Sequence, residues 1–219
     1  EGPRSAPYPN PPLEVNEFAH RFADASGQLG LSPFPQPSGI LSQAWTDPWG
    51  RTRSGCLYCG FCTRFGCEVD AKSSPITTHF PVSLETGRHE VRAESKVLRI
   101  ETDRSGRASG VTYLDASGEE HFQPAALVVV SAFTLENVRL LLLSTSDAHP
   151  GGIGNDRDRV GKNFTYQLFY SPVKGLFDGE RFGMYMGNTC TINVLYDYYG
   201  DVFDHDDLDF IGGSQLFSQ

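Results

Sequence analysis

Four of the chain's five cysteines fall within twelve residues, in the run Cys56-Leu57-Tyr58-Cys59-Gly60-Phe61-Cys62-Thr63-Arg64-Phe65-Gly66-Cys67, separated by two, two and four residues. Thiolates two residues apart can point at the same ion or cluster, so one loop of this kind can wrap a single metal centre. Gly60 and Gly66 supply the backbone freedom that such a wrap needs. The spacing is close to the cysteine run of bacterial ferredoxins, but the last gap is four residues rather than three and no proline follows. Cys56, Cys59, Cys62 and Cys67 are therefore candidate ligands, first of all for an iron–sulfur cluster. Disulfides in an exported protein, zinc and free thiols remain open. Cys190, far off in the sequence, reads as a buried small residue.

Around this cluster the chain divides into stretches of different character. Pro3 to Pro12 holds prolines without apolar periodicity and predicts an extended surface segment. From Leu13 towards Leu29, Val15, Phe18, Ala19 and Phe22 recur at helical spacing, and Gly30 stands where a helix stops. Residues 32–55, rich in Pro, Gly and Ser, read as a long functional loop. Ser74-Pro75 resembles a helix start, with Pro81 expected to kink or end that helix. Strands are then predicted over 89–93, 96–102, 109–115 and 119–123, with Asp103-Arg104-Ser105-Gly106 and Asp115-Ala116-Ser117-Gly118 as turns, which makes an antiparallel meander. Residues 165–177 read as a further strand, and the end is a Tyr, Asp and Gly-rich tract.

The run Ala126-Leu127-Val128-Val129-Val130 is apolar on both sides, as suits a parallel strand covered on both faces. A helix follows at once, with Thr134 as its expected cap, Glu136 in the first turn where the helix dipole favours an anion, and Val138, Leu141 and Leu142 on the packing face. A parallel strand feeding a helix puts small residues and open N–H groups at the carboxyl edge of a sheet, where α/β folds bind nucleotides.

Charge and length remove several classes of function. Eighteen basic against 27 acidic side chains give a formal charge of −9, with no basic stripe for nucleic acid. The longest apolar runs fall short of the roughly 18 to 20 residues of a membrane span. The six histidines carry no placed partner and are expected to be structural. The acidic tract from Asp197 to Asp209 lacks the regular spacing of a calcium loop and reads as solvated, and Asn163-Phe164-Thr165 fits a glycosylation sequon.

The run Val128 to Ser144 resembles the second signature of the glucose-methanol-choline (GMC) oxidoreductases, in which a strand ends in a small-residue turn and a leucine-rich helix follows. Gly154-Asn155 with Val160-Gly161-Lys162-Asn163 is similar to that family's next landmark. Pro7-Tyr8-Pro9-Asn10-Pro11-Pro12, the cysteine run, and Asp201 to His205 with Phe210-Ile211-Gly212-Gly213 resemble one branch, the flavoprotein subunits of gluconate 2-dehydrogenases and similar sugar or polyol dehydrogenases. The family usually has Gly at the position of Phe133. Its N-terminal Gly-x-Gly-x-x-Gly loop and C-terminal catalytic His have no counterpart here, so the chain is expected to be an internal piece with no catalytic residue of its own.

The resemblance implies a mixed α/β fold: part of an FAD-binding, Rossmann-like domain with an antiparallel β-meander, and the start of a substrate-binding domain. The expected divisions are an extended and helical segment over 1–55, the FAD-binding part with the cysteine loop over 56–163, and the substrate-binding part over 164–219. FAD is the implied cofactor, with Val97 contacting its adenine through the backbone and Ser131 and Ala132 forming the turn beside the dinucleotide. The implied reaction is oxidation of the CH–OH group of a sugar acid, sugar or polyol, with electrons passing to cytochrome c and a small subunit in a periplasmic, membrane-associated complex. A flavin oxidase using oxygen, with the cysteines as a structural clamp, is a variant of that reading. From the residues alone, the alternative is a non-catalytic metal-binding or disulfide-stapled module.

Overall fold

The structure is a computed structural model that describes residues 5–62, 65–166, 176–183, 191–204, 206–209 and 212–218. Its elements begin with α1 (Glu17–Gln28), β1 (Phe34–Pro35), β2 (Trp45–Thr46), β3 (Thr52–Arg53) and α2 (His79–Glu85). There follow β4 (Lys96–Thr102), β5 (Ala108–Leu114), β6 (Glu120–Pro124), α3 (Thr134–Leu143), β7 (Asn193–Leu195) and β8 (Leu216–Phe217). The chain forms two compact units, one of Glu1–His89 with Gly175–Gln219 and one of Glu90–Lys174. No helix among the described residues is long and apolar enough to cross a membrane.

In the first unit, α1 starts later than its apolar pattern because Asn16 caps it: Asn16 Oδ1 accepts from the Ala19 N–H at 2.8 Å, satisfying one of the orphan donors of the first turn. Leu13 stays outside the helix and is buried all the same. The other end is where the glycine placed it, with Gly30 at φ 76°. β1, β7 and β8 make a small antiparallel sheet in the order β1-β7-β8, and Val194 and Leu195 of its central strand are among the most buried side chains of the unit. Asn193 is the polar hinge of this core. Its Nδ2 donates to Ala19 O at 2.8 Å, and its backbone N–H donates to Ser218 Oγ at 3.0 Å, so a buried amide is matched rather than orphaned.

The stretch 32–55, read as a loop, contains β1 and the hairpin β2–β3, whose turn is closed by Asp47 Oδ1 accepting from the N–H groups of Trp49 and Arg51, both at 2.9 Å. Pro81 does not end a helix. The chain after Ser74-Pro75 forms turns, α2 begins at His79, and Pro81 sits in its first turn, where a missing N–H leaves no intrahelical bond unmade.

The second unit is the meander β4-β5-β6, all antiparallel, followed by α3 packed on β4. Both hairpin turns use the same device. Asp103 Oδ1 accepts from Ser105 N–H and Oγ and from Arg107 N–H, and Asp115 Oδ1 does the same with Ser117 and Glu119, while Gly106 and Gly118 take the left-handed position at φ 82° and 85°. Ser144, buried at the end of α3, joins helix to sheet: its Oγ donates to Leu140 O at 2.6 Å and accepts from the Ile100 N–H of β4 at 2.8 Å.

Two predicted strands are absent. Residues 89–93 form none. The segment is instead held to the sheet through the Arg92 side chain, which donates to Gln123 Oε1 at 2.7 Å, to Tyr113 OH at 3.2 Å and to Glu90 at 2.7 Å. Residues 126–130 pair with none of the described strands, and Leu127 and Val129 are exposed. A strand apolar on both faces is stable only between neighbouring strands, and every described ladder here is antiparallel and excludes it. The predicted strand over 165–177 falls mostly on residues outside those described, as do Cys190 and His205.

Candidate functional site

The nucleotide-side candidates all lie in the second unit. Val97 is half-buried on β4, opposite Tyr113, and the register slips by one residue directly after it, between Val97 and Arg99. β4 is an edge strand of its sheet, so the side of its backbone away from β5 is paired with no described strand, and part of that side is taken up by the Ile100 N–H bond to Ser144. Ser131 and Ala132 are exposed in the turn that leads into α3. Both places suit a dinucleotide: an open strand edge for a base, and a small-residue turn at a helix start.

The turn itself departs from expectation. Thr134 is the first helical residue rather than the cap, and the cap position is Phe133, at φ 73° and ψ 157°. That backbone region is essentially reserved for glycine, and any side chain there is strained. The Gly that the resemblance expects at this position thus answers a real conformational demand, which this chain meets with an aromatic ring that is 75% exposed. Asn137 holds the arrangement, accepting the Ala132 N–H on Oδ1 at 2.7 Å. Glu136 is in the first turn as predicted and pairs with Arg139 at 2.7 Å. Beyond the helix, Gly152, at φ 96°, passes so close that a Cβ would lie 2.6 Å from Leu141 O, and Asn155 Oδ1 accepts the Val160 N–H at 3.0 Å to fold the Gly154-Asn155 landmark back on itself.

In the first unit, both ends of the cysteine loop are tied to one short segment. Cys56 N–H donates to Leu41 O at 2.8 Å, Leu41 N–H to Ala71 O at 3.0 Å, and Ser73 N–H to Gly39 O at 2.7 Å. Lys72 Nζ closes the loop from inside, donating to Cys62 O at 2.7 Å and Phe65 O at 3.2 Å. Cys56, Cys59 and Cys67 carry free thiols, Cys59 exposed and Cys56, Cys62 and Cys67 half-buried. Burial pushes the Cys56 thiol up, against a hydrogen bond from the Tyr58 N–H at 3.3 Å, and the neighbouring thiols add to the rise. At Cys67 burial also acts upward, but the backbone N–H groups of Lys72, Val69 and Ala71 outweigh it and bring the thiol below its ordinary value. Among the described residues no three His, Cys, Asp or Glu side chains are placed to hold a metal ion. The described cysteine loop is thus tied by hydrogen bonds, and none of Cys56, Cys59 and Cys67 is in a described disulfide.

The described histidines have structural partners. His121 Nε2 meets Asp115 Oδ2 at 2.8 Å, His149 Nε2 meets Gly106 O at 2.9 Å, and His89 Nδ1 meets Ser83 Oγ at 2.5 Å. One feature had no sequence signal: a cavity of about 390 Å³ in the first unit, bordered by the proline-rich segment, by 34–41, and by Trp45, Arg53 and Ser73. Its walls come from segments distant in sequence, and nothing in any one of them marks it.

Comparison with known proteins shows what this arrangement is similar to. The profile of the GMC oxidoreductases matches residues 38–169. The gluconate 2-dehydrogenase flavoprotein of Pantoea cypripedii is 36% identical over 216 residues, covering 98% of this chain and 35% of that protein. The 2-methyl-1,2-propanediol dehydrogenase of Mycolicibacterium austroafricanum is 31% identical over 160 residues, 73% of this chain and 28% of the relative. The fructose dehydrogenase large subunit of Gluconobacter japonicus is 26% identical over 161 residues, 74% of this chain and 28% of the relative. The chain thus spans about a third or less of the length of these curated relatives.

Proposed function

We propose that this chain, which belongs to the GMC oxidoreductase family, is part of an FAD-dependent dehydrogenase that oxidises the CH–OH group of a sugar acid, sugar or polyol. The observation that carries the reading is the identity of 36% that runs along 98% of the chain to a gluconate 2-dehydrogenase flavoprotein. Relatives named for a diol and for fructose support a polyhydroxy substrate class.

FAD, when bound, supplies the hydride acceptor. The part played by this chain is to hold and orient it. In this reading the backbone of Val97 on the edge strand β4 would meet the adenine, and the exposed turn of Ser131 and Ala132, stiffened by the Asn137 bond to the Ala132 N–H, would lie beside the dinucleotide. Position and orientation set by rigid backbone, rather than by acid–base chemistry, are what such residues contribute to rate.

The onward path of electrons belongs to the same proposal. A relative named as a large subunit supports partner subunits, while a small subunit with cytochrome c and a periplasmic setting draw on the sequence resemblance alone. An iron–sulfur relay on Cys56, Cys59, Cys62 and Cys67 draws on their spacing alone.

The test is anaerobic purification of the intact flavoprotein, with a visible spectrum, FAD content, and iron and acid-labile sulfide, for the natural protein and Cys59→Ser. Flavin bands with turnover of a sugar acid or polyol are expected. Iron and sulfide that disappear in Cys59→Ser would assign the cysteines to a cluster, and flavin without iron would leave them to the loop. A protein that binds no flavin would sink the reading and favour the cofactor-free module.

A further inference from the structure

The β2–β3 hairpin sets an aromatic ring and a cation side by side. Trp45 and Arg53 are directly opposite in its register, so their side chains leave the same face of the ribbon, and both line the cavity of the first unit. Arg53 is half-buried, and its described bonds run to neutral oxygens: Nη1 to Asp70 O at 3.1 Å, and Nη1 and Nη2 to Ser73 Oγ at 3.3 and 3.2 Å. Ser73 lines the same cavity, which puts the guanidinium fork at its wall. Among the described residues no carboxylate lies within ion-pair distance of Arg53, whereas Arg21, Arg51, Arg92, Arg99 and Arg139 each have one. A guanidinium without a counter-charge on an apolar lining calls for an anion, which it can hold with two parallel bonds.

The rest of the lining is built largely of rings. Phe34, Pro9, Pro11, Pro35 and Pro37 face the space together with Trp45. These walls are fixed: Phe34 and Pro35 pair with β7, the Phe34 ring meets Tyr196 edge-on at 4.9 Å, and Ser42 Oγ donates to Pro11 O at 2.6 Å. Prolines and paired strand residues have few conformations to lose on binding, so such walls favour a guest that is itself flat and rigid. The π-face of an aromatic guest gains further from the positive edges and C–H groups that surrounding rings present. At about 390 Å³ the cavity is in the range of small-molecule pockets.

We infer that this cavity binds a small, flat aromatic acid, its ring against Trp45 and its anionic group on the Arg53 fork. The cation discriminates against neutral aromatics, and the flat walls discriminate against saturated rings of the same charge. No covalent step is involved. The inference goes beyond the dehydrogenase reading and does not depend on it. Flavin nucleotides also combine a flat ring with anionic groups, so the test has to separate a free aromatic acid from the cofactor.

The test is calorimetric titration of the intact flavoprotein, with its flavin in place, using three probes: 2-naphthoate, its neutral counterpart 2-naphthalenemethanol, and its saturated counterpart decahydro-2-naphthoate. Naphthoate is expected to bind about tenfold more tightly than either of the others. Arg53→Gln is expected to weaken naphthoate about tenfold while leaving the alcohol unchanged, and Arg53→Lys to restore part of the loss. Trp45→Leu is expected to remove the preference for the aromatic over the saturated acid. Gly39→Leu leaves charge and rings alone and fills space. A Cβ there meets only the Ser73 Cβ at 4.0 Å, and this variant is expected to weaken all three probes.

Naphthoate bound no more tightly than the alcohol or the saturated acid overturns the assignment, as does an affinity unchanged in both Arg53→Gln and Gly39→Leu. Naphthoate that binds only after the flavin is removed, and is displaced when FAD is added back, also overturns it and gives the cavity to the cofactor. A protein that carries no flavin yet binds naphthoate through Arg53 supports the cavity assignment while the dehydrogenase reading fails.

Discussion

Asn137 Oδ1 accepts the Ala132 N–H at 2.7 Å, bridging five residues back across the start of α3. The bond encloses Phe133, whose backbone at φ 73° and ψ 157° is one that a glycine would take without cost. A helix that begins on a strained residue with no side-chain cap of the ordinary kind is thus secured by a side chain from its own first turn. The strain and its brace both sit at the turn into α3, so the geometry of that turn is fixed by this pair.

Separating the pair is informative. Phe133→Gly removes strain of about 1–3 kcal/mol against an entropy cost of up to about 1 kcal/mol, and because the ring is exposed little packing is lost. Thermal unfolding is expected to show a net gain of about 1 kcal/mol. Asn137→Ala is expected to lose about 1 kcal/mol, the usual worth of a cap. A loss on Phe133→Gly would mean that the ring is packed in the intact flavoprotein.

Ser144→Ala leaves the buried Ile100 N–H without its acceptor and deletes no packing of consequence. A buried unsatisfied amide costs about 1–3 kcal/mol, so the denaturant midpoint should fall by about 2 kcal/mol equivalent with the slope unchanged. No shift would show that water reaches the amide.

Gly152→Ala is expected to be worse. The new Cβ would meet Leu141 O at 2.6 Å in a backbone conformation at φ 96° that L-residues avoid. The loss should be about 2–3 kcal/mol, the range of a forced backbone shift, and is read by the same denaturant titration.

The turn at Asp115 makes a prediction about acid. Its carboxylate accepts from the Ser117 side chain first, then from His121, and from the Glu119 and Ser117 N–H groups, and these hold it well below the ordinary carboxylate range despite the opposing effect of desolvation. A carboxylate depressed in the folded state contributes stability that is complete above its unfolded value of about 3.9 and fades as pH falls through the folded one. An NMR titration of the Asp115 carboxyl carbon should show a midpoint below about 3.9. An ordinary midpoint would mean that the turn is open in solution.

What the sequence by itself determined was whatever closes over a few residues. The Asp-x-Ser-Gly turns are legible because the aspartate, the serine and the glycine each satisfy or permit a neighbour's backbone, and they place β4, β5 and β6 almost to the residue. Gly30 ends α1 for the same local reason. Tertiary structure decided the rest, because there the partner is distant in sequence or absent from it. Residues 126–130 have the composition of a buried strand, yet a strand exists only where a neighbour offers its hydrogen bonds, and none of the described strands does. The cysteine spacing allows a metal cage, but donor directions come from the loop's ties to 39–41 and to Lys72, and among the described residues no three donors are placed to hold a metal ion. The cavity of the first unit is walled by residues 8–13, 34–41, 45, 53 and 73, which are far apart in the chain. Its walls come together only when segments far apart in the chain have packed, so no single stretch of sequence marks it.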